Sequence, residues 1–168
     1  MQSLKDSFLF FYEKNKFEKN TNQLEIIDLL DNFHAPKKSL LNFFLPMNQK
    51  LCFYLYGQVG VGKTMIFNHY YKFINIAKQR LHFNEFMINF HDYTFQNKDK
   101  ENGIDNFVKD LSKKAEILYF DEFQVTNIVD AMILGKLFKK IFEEKIKVIF
   151  SSNINISNLY KDGLQRDQ

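Results

Sequence analysis

Tryptophan is absent, and the chain carries one cysteine, two prolines and six glycines. Cys52 has no intrachain partner, which excludes a disulfide framework, and no Cys/His spacing matches a zinc site. Arginine is confined to Arg80 and Arg166, so the formal charge of +3 rests on lysine. Lysine together with abundant Asn, Ile and Phe reads as AT-rich coding, and the basic balance carries little weight as evidence for a nucleic-acid partner. No transmembrane segment is expected. The longest apolar run near the N-terminus, residues 8–12, is too short for a membrane span or a signal-peptide core. Residues 1–50 hold several acids and no arginine, unlike a mitochondrial presequence, so a reducing bacterial cytoplasm is the expected compartment.

What is present is ample apolar material: 45% of the 168 residues are hydrophobic and 17% aromatic, enough for a buried core. Residues 1–50 read as an N-terminal helical extension, with helices around 4–17 and 23–33 and a short apolar stretch bracketed by Pro36 and Pro46. The amphipathic segment SFLFFYEKNKF is expected to pack onto the adjacent domain rather than lie on a membrane.

From residue 51 apolar runs of strand length alternate with segments of helix length. LCFYLY (51–56) reads as a buried strand, 65–78 as a helix, and FMINF (86–90) as the end of a second strand. A helix around 104–114, a strand ILYF (117–120), a long helix carrying Val125 to Phe142 at helical spacing, and a strand KVIFS (147–151) follow. Such alternation implies a parallel sheet covered on both faces. The polar run 96–102 reads as a surface loop.

GQVGVGKT (57–64) follows a predicted strand and opens a predicted helix, the context in which G-x-x-x-x-G-K-[ST] forms a P-loop. Gly57, Gly60 and Gly62 let the backbone curl around a phosphate, with Gln58, Val59 and Val61 completing the loop. Lys63 supplies a compact cation for the β- and γ-phosphates, and Thr64 a hydroxyl for Mg²⁺. ILYFDE (117–122) ends an apolar strand in paired acids. Asp121 is placed to hold Mg²⁺ and Glu122 to activate water, which favours hydrolysis over phosphoryl transfer to an organic acceptor. Asn153, after a further apolar strand, is a candidate for contacting the γ-phosphate or the lytic water. His82 and His91 lack metal-ligand spacing and read as packing or hydrogen-bonding residues.

With these motifs in order, the chain resembles the ZapE family of cell-division ATPases, bacterial relatives of a mitochondrial AAA+ ATPase. The likeness extends to HFNEFMINFH (82–91), YFDEFQVTNIVDAMILGKLF (119–138) and SSNINISNLYKDGLQR (151–166), and covers roughly residues 50–166. Asn84 and residues 155–157 depart from the family pattern. The resemblance implies Mg²⁺-dependent ATP binding and hydrolysis, a homo-oligomer in an intact member, and a cell-division protein as partner. It makes Asn153 a sensor residue and Arg166 a candidate arginine finger.

The expected fold is α/β: a three-layer P-loop NTPase sandwich with a parallel sheet, the AAA+ core occupying residues 51–168, and strand 1 beside strand 4. Family members continue with another strand and a helical lid. The chain stops at Gln168, so it is expected to bind ATP·Mg²⁺, hydrolyse it poorly and aggregate through an unpaired strand edge. Three rivals are a GTPase, a helicase-loader-like AAA+ protein acting with single-stranded DNA, and a nucleotide-binding remnant without turnover. NKDK (97–100) has Lys100 where a guanine-reading Asp belongs, which argues against the first.

Overall fold

The structure, a computed structural model, describes residues 3–34, 50–97, 102–125 and 127–159. Helix α1, Leu4–Asn15, starts where the Ser3 hydroxyl accepts the Asp6 amide at 3.0 Å. It stops where Lys16 turns left-handed at φ 55°. Leu4, Phe8 and Tyr12 recur every fourth position and form its buried stripe. Helix α2, Thr21–His34, buries Ile27, Leu30 and Phe33 in the same way.

The alternating part follows as β1 (Cys52–Tyr56), α3 (Lys63–Phe73), β2 (Lys78–His82), α4 (Phe83–Gln96), α5 (Gly103–Ser112), β3 (Ile117–Asp121), α6 (Ile128–Glu143) and β4 (Lys147–Ser152). A short 3₁₀ turn, Ile156–Asn158, is capped by the Asn155 side chain, which accepts from the Ser157 amide at 3.0 Å. Among the described residues the four strands are parallel in the order β1-β4-β3-β2, so β1 neighbours β4 as expected. No helix among the described residues is long and apolar enough to cross a membrane.

Period-two alternation sends the central strands' side chains into two cores. Leu118, Phe120, Val148 and Phe150 face one side, where α4, α5 and α6 contribute Phe86, Phe90, Val108, Leu137 and Ile141. Ile117, Tyr119 and Ile149 face the other, where α3 meets α1 and α2 through Ile66, Phe67, Phe8 and Ile27. The amphipathic face of α1 is therefore covered by protein. Aromatic edges and faces interlock in the first core: the Phe120 ring lies 4.8 Å from Phe86, 5.5 Å from Phe150 and 6.0 Å from Phe83.

One expected element is displaced. FMINF (86–90) is not the end of a strand but the middle of α4, because Phe83, Phe86, Met87 and Phe90 recur at three and four residues and bury one helical face. The second strand is instead KQRLH, a polar segment that among the described residues lies at the sheet edge and pairs only with β3. The helix expected over 65–78 accordingly stops at Phe73, where Ile74 turns extended and the chain enters β2.

Candidate nucleotide site

The loop 57–62 leaves the C-terminal end of β1 and feeds α3, whose first residue is Lys63. Its start is tied to the sheet where the Gly57 amide donates to the Ser152 carbonyl at 3.2 Å. Gly60 and Gly62 have φ of 88° and 91°, a left-handed backbone that a Cβ disfavours. A Cβ on Gly60 would meet no protein atom within 4 Å, only open cavity, whereas one on Gly62 would come within 2.4 Å of Gln23 Nε2.

Lys63 is only 9% exposed, and burial pushes its pKa below the ordinary lysine value. Its ammonium donates to the Gly57 carbonyl at 2.5 Å, the Gln58 carbonyl at 2.8 Å and Asn153 Oδ1 at 2.9 Å. The last bond joins the loop to the residue just after β4. Thr64, in the first turn of α3, is exposed, as are Val59 and Val61.

Asp121 closes β3. Its Oδ1 accepts from the Tyr119 hydroxyl at 2.5 Å and its Oδ2 from Arg80 Nε at 2.5 Å. Burial, reinforced by the neighbouring Asp121 carboxylate, raises the Tyr119 pKa well above the ordinary tyrosine value. Glu122 follows with φ 53°, an uncommon conformation for a residue with a long side chain. That turn is pinned on its far side: the Phe123 amide donates to the Ser151 carbonyl at 2.8 Å, and the Ser152 hydroxyl to the Phe123 carbonyl at 2.7 Å.

These pieces line one cavity of about 630 Å³ at the C-terminal ends of the strands, with Gly60, Lys63, Thr64, Asp121, Glu122 and Asn153 on its wall. The loop, the paired acids and Asn153 are thus brought together; Arg166 lies outside the described residues. Arg80 also lines the cavity, and its role was not read from the sequence. Its scarcity as one of two arginines was the only signal. A cradle left open by a missing Cβ, one buried ammonium, a hydroxyl and hard carboxylate oxygens fit a nucleotide triphosphate with Mg²⁺. His91, outside this cavity, makes a 2.8 Å contact from Nε2 to Asp130 Oδ1.

A parallel sheet between helices, with a glycine loop and paired acids at its carboxyl edge, is the architecture of a P-loop nucleotide-binding fold. The AFG1-like ATPase family matches residues 15–168, and the chain belongs to that family. Cell division protein ZapE of Escherichia coli K12 is 37% identical over 114 residues, covering 67% of this chain and 30% of ZapE. Lactation elevated protein 1 homolog B of Danio rerio is 37% identical over 126 residues, 68% of this chain and 25% of that protein. The chain therefore spans less than a third of these relatives' length.

Solved structures agree on the fold. DnaI superposes with a TM-score of 0.55 at 20% identity, covering 88% of this chain and 78% of that one. AMPPCP-bound DnaA from Aquifex aeolicus gives 0.56 at 14% identity, covering 94% of this chain and 43% of DnaA.

Proposed function

We propose that this chain binds ATP with Mg²⁺ in the cavity at the strand ends and hydrolyses it. The observation that carries the reading is the convergence of Lys63, Asn153, Asp121 and Glu122 on one cavity beside the glycine loop. Backbone amides at the start of α3 face an anion by virtue of their position, and the helix adds its positive end. Lys63 exchanges its loop carbonyls for β- and γ-phosphate oxygens, retaining Asn153 as a link to β4. Thr64 and Asp121 are the residues that would hold Mg²⁺, which supplies charge neutralisation on the phosphates when bound. Glu122 takes a proton from the attacking water, and Asn153 orients that water or the γ-phosphate. Gly57, Gln58, Val59, Gly60, Val61 and Gly62 form the phosphate cradle.

At the level of the whole protein the same reading extends to a homo-oligomer in which Arg166 of one copy serves a neighbour's γ-phosphate. The name of the E. coli relative motivates a cell-division protein as the client.

The test separates binding from chemistry. Lys63→Ala is expected to weaken binding of a fluorescent ATP analogue, while Glu122→Gln retains it and lowers phosphate release by roughly two to four decades. Binding by Lys63→Ala as tight as that of the unmodified chain would refute the assignment.

A further inference from the structure

The cavity holds a second cation that the phosphate-site motifs leave unexplained. Arg80 lies on β2 directly opposite Tyr119 of β3, a register that sets its guanidinium beside Asp121. Three contacts fix it. Nε donates to Asp121 Oδ2 at 2.5 Å, Nη1 donates to Asn68 Oδ1 at 2.6 Å, and the guanidinium carbon lies 4.9 Å from the centre of the Tyr119 ring. Burial is the largest single influence and disfavours the charged form of Arg80, but the hydrogen bond to Asp121 and the surrounding negative charge, Asp121 first, together outweigh it and raise the pKa. The arginine therefore stays charged.

We propose that Arg80 is a built-in counter-ion for Asp121, one that keeps the nucleotide-free site from capturing a divalent cation and so makes metal entry depend on the phosphates. The inference rests on the Mg²⁺·ATP reading given above. Without Arg80 the described cavity wall would set Asp121, Glu122 and Glu85 against Lys63, with His82 beside them, a net negative site of hard oxygens. With it two cations face the three acids and the negative excess is halved, and both Asp121 oxygens are already engaged, one by Tyr119 and one by Arg80. An arriving metal ion must share Asp121 with a fixed positive charge at contact distance, and the repulsion is strong in a partly buried site. A nucleotide's phosphates carry the negative charge that offsets it. Asn68 lies four residues beyond Thr64 on α3, one helical turn away, so the helix that presents the metal-side hydroxyl also anchors the guanidinium. Arg80 is thus a positioning residue acting through Asp121, and it sets metal affinity.

The experiment uses the full chain, with Arg80→Gln, Arg80→Lys and the double variant Arg80→Gln/Asp121→Asn. Mn²⁺ binding to nucleotide-free protein is followed by the loss of the free-ion EPR signal, and the Mg²⁺ dependence of a fluorescent ATP analogue's affinity is titrated in parallel. Arg80→Gln is expected to bind Mn²⁺ tighter by roughly three- to tenfold and to lower the half-saturating Mg²⁺ by a similar factor. Arg80→Lys, which keeps the charge but loses the fork that also reaches Asn68, should fall between the unmodified chain and Arg80→Gln. The double variant should lose the gain, because the unmasked carboxylate is gone.

An unchanged or raised metal midpoint in Arg80→Gln, with nucleotide binding weakened equally at all Mg²⁺ concentrations, would mean that Arg80 only supports the fold, and overturns the proposal. Should Arg80→Gln fail to fold by circular dichroism, Asn68→Ala, which loosens one anchor, must shift the metal midpoint in the same direction, and no shift overturns it equally. Tighter Mn²⁺ binding without any Lys63-dependent nucleotide binding would instead remove the ATP reading while leaving the counter-ion intact.

Discussion

Gln23 Nε2 donates to the Val61 carbonyl at 2.9 Å, so α2 holds the phosphate loop from outside the sheet. The other end of the same amide accepts from the Tyr12 hydroxyl, which extends the chain of bonds to α1. Residues far upstream of the glycine motif therefore set the loop's resting shape. Gln23→Ala removes an exposed hydrogen bond with a net value of about 0.5–1.5 kcal/mol, so nucleotide affinity should fall by roughly two- to tenfold. Titration of a fluorescent ATP analogue, with hydrogen exchange across residues 57–64, checks this.

The Gly62→Ala change meets two separate obstacles at that spot, the left-handed φ of 91° and the 2.4 Å approach to Gln23. Removing the Gln23 side chain relieves the second but not the first. In a double-mutant cycle by urea denaturation, Gly62→Ala should cost less in the Gln23→Ala background, while still costing about 1–2 kcal/mol for the backbone. Equal costs in both backgrounds would show that the close approach relaxes without effort.

Glu122 occupies a left-handed conformation at φ 53°, and such a residue typically costs about 1–3 kcal/mol. Asn tolerates that region better, so Glu122→Asn should stabilise the fold by up to about 1 kcal/mol while abolishing hydrolysis. Glu122→Gln keeps the same backbone conflict and should leave the urea midpoint unchanged. A midpoint for Glu122→Asn at or below that of the unmodified chain counts against stored strain.

Phe120 is fully buried and its ring touches those of Phe83, Phe86, Phe138 and Phe150. Phe120→Ala should cost about 3–5 kcal/mol, a large share of a domain's typical total of about 5–15 kcal/mol. Urea unfolding, with Phe120→Leu as the milder comparison, measures it.

His69 Nε2 lies 3.0 Å from Ser7 Oγ, with the ring against Phe8 and Phe11. Burial, aided by the charge of Lys72, lowers its pKa from 6.5; His34 is lowered likewise by burial and Lys147. The sign follows: below 6.5 the unfolded chain takes up protons before the folded one does. Stability is full above that value and is lost as pH falls through the lowered folded pKa. Urea midpoints at about pH 7.5 and about pH 5.5 should differ, and His69→Gln should shrink the difference.

How far the sequence was legible follows from where each determinant lies. The loop 57–64 and the acids at 121–122 are local, since their chemistry demands particular residues at fixed spacing. β3 and β4 are legible because both their faces are buried and they read as unbroken apolar runs. β2 is not: an edge strand spelled KQRLH has one neighbour among the described residues and no apolar face, while FMINF beside it mimics a strand in composition. Losing β2 also hid Arg80, whose meaning depends on its register with Tyr119. Gln23 was equally out of reach, because its partner is brought near only by the packing of α2 on α3.

Among the described residues, the strand that launches the phosphate loop pairs only with β4, Cys52 opposite Val148, and the bond from Lys63 to Asn153 links positions 90 residues apart. During synthesis, then, a growing chain can pair β2 with β3 while β1 and its loop still wait for a partner that has not left the ribosome. Within the described sheet the β1–β4 pairing beside the cradle is completed last, and its closure carries the entropy of the longest sequence separation in that sheet. Stalled nascent chains should accordingly gain ATP-dependent protection from proteolysis only after residues 147–153 have emerged, although the glycine motif itself was made long before.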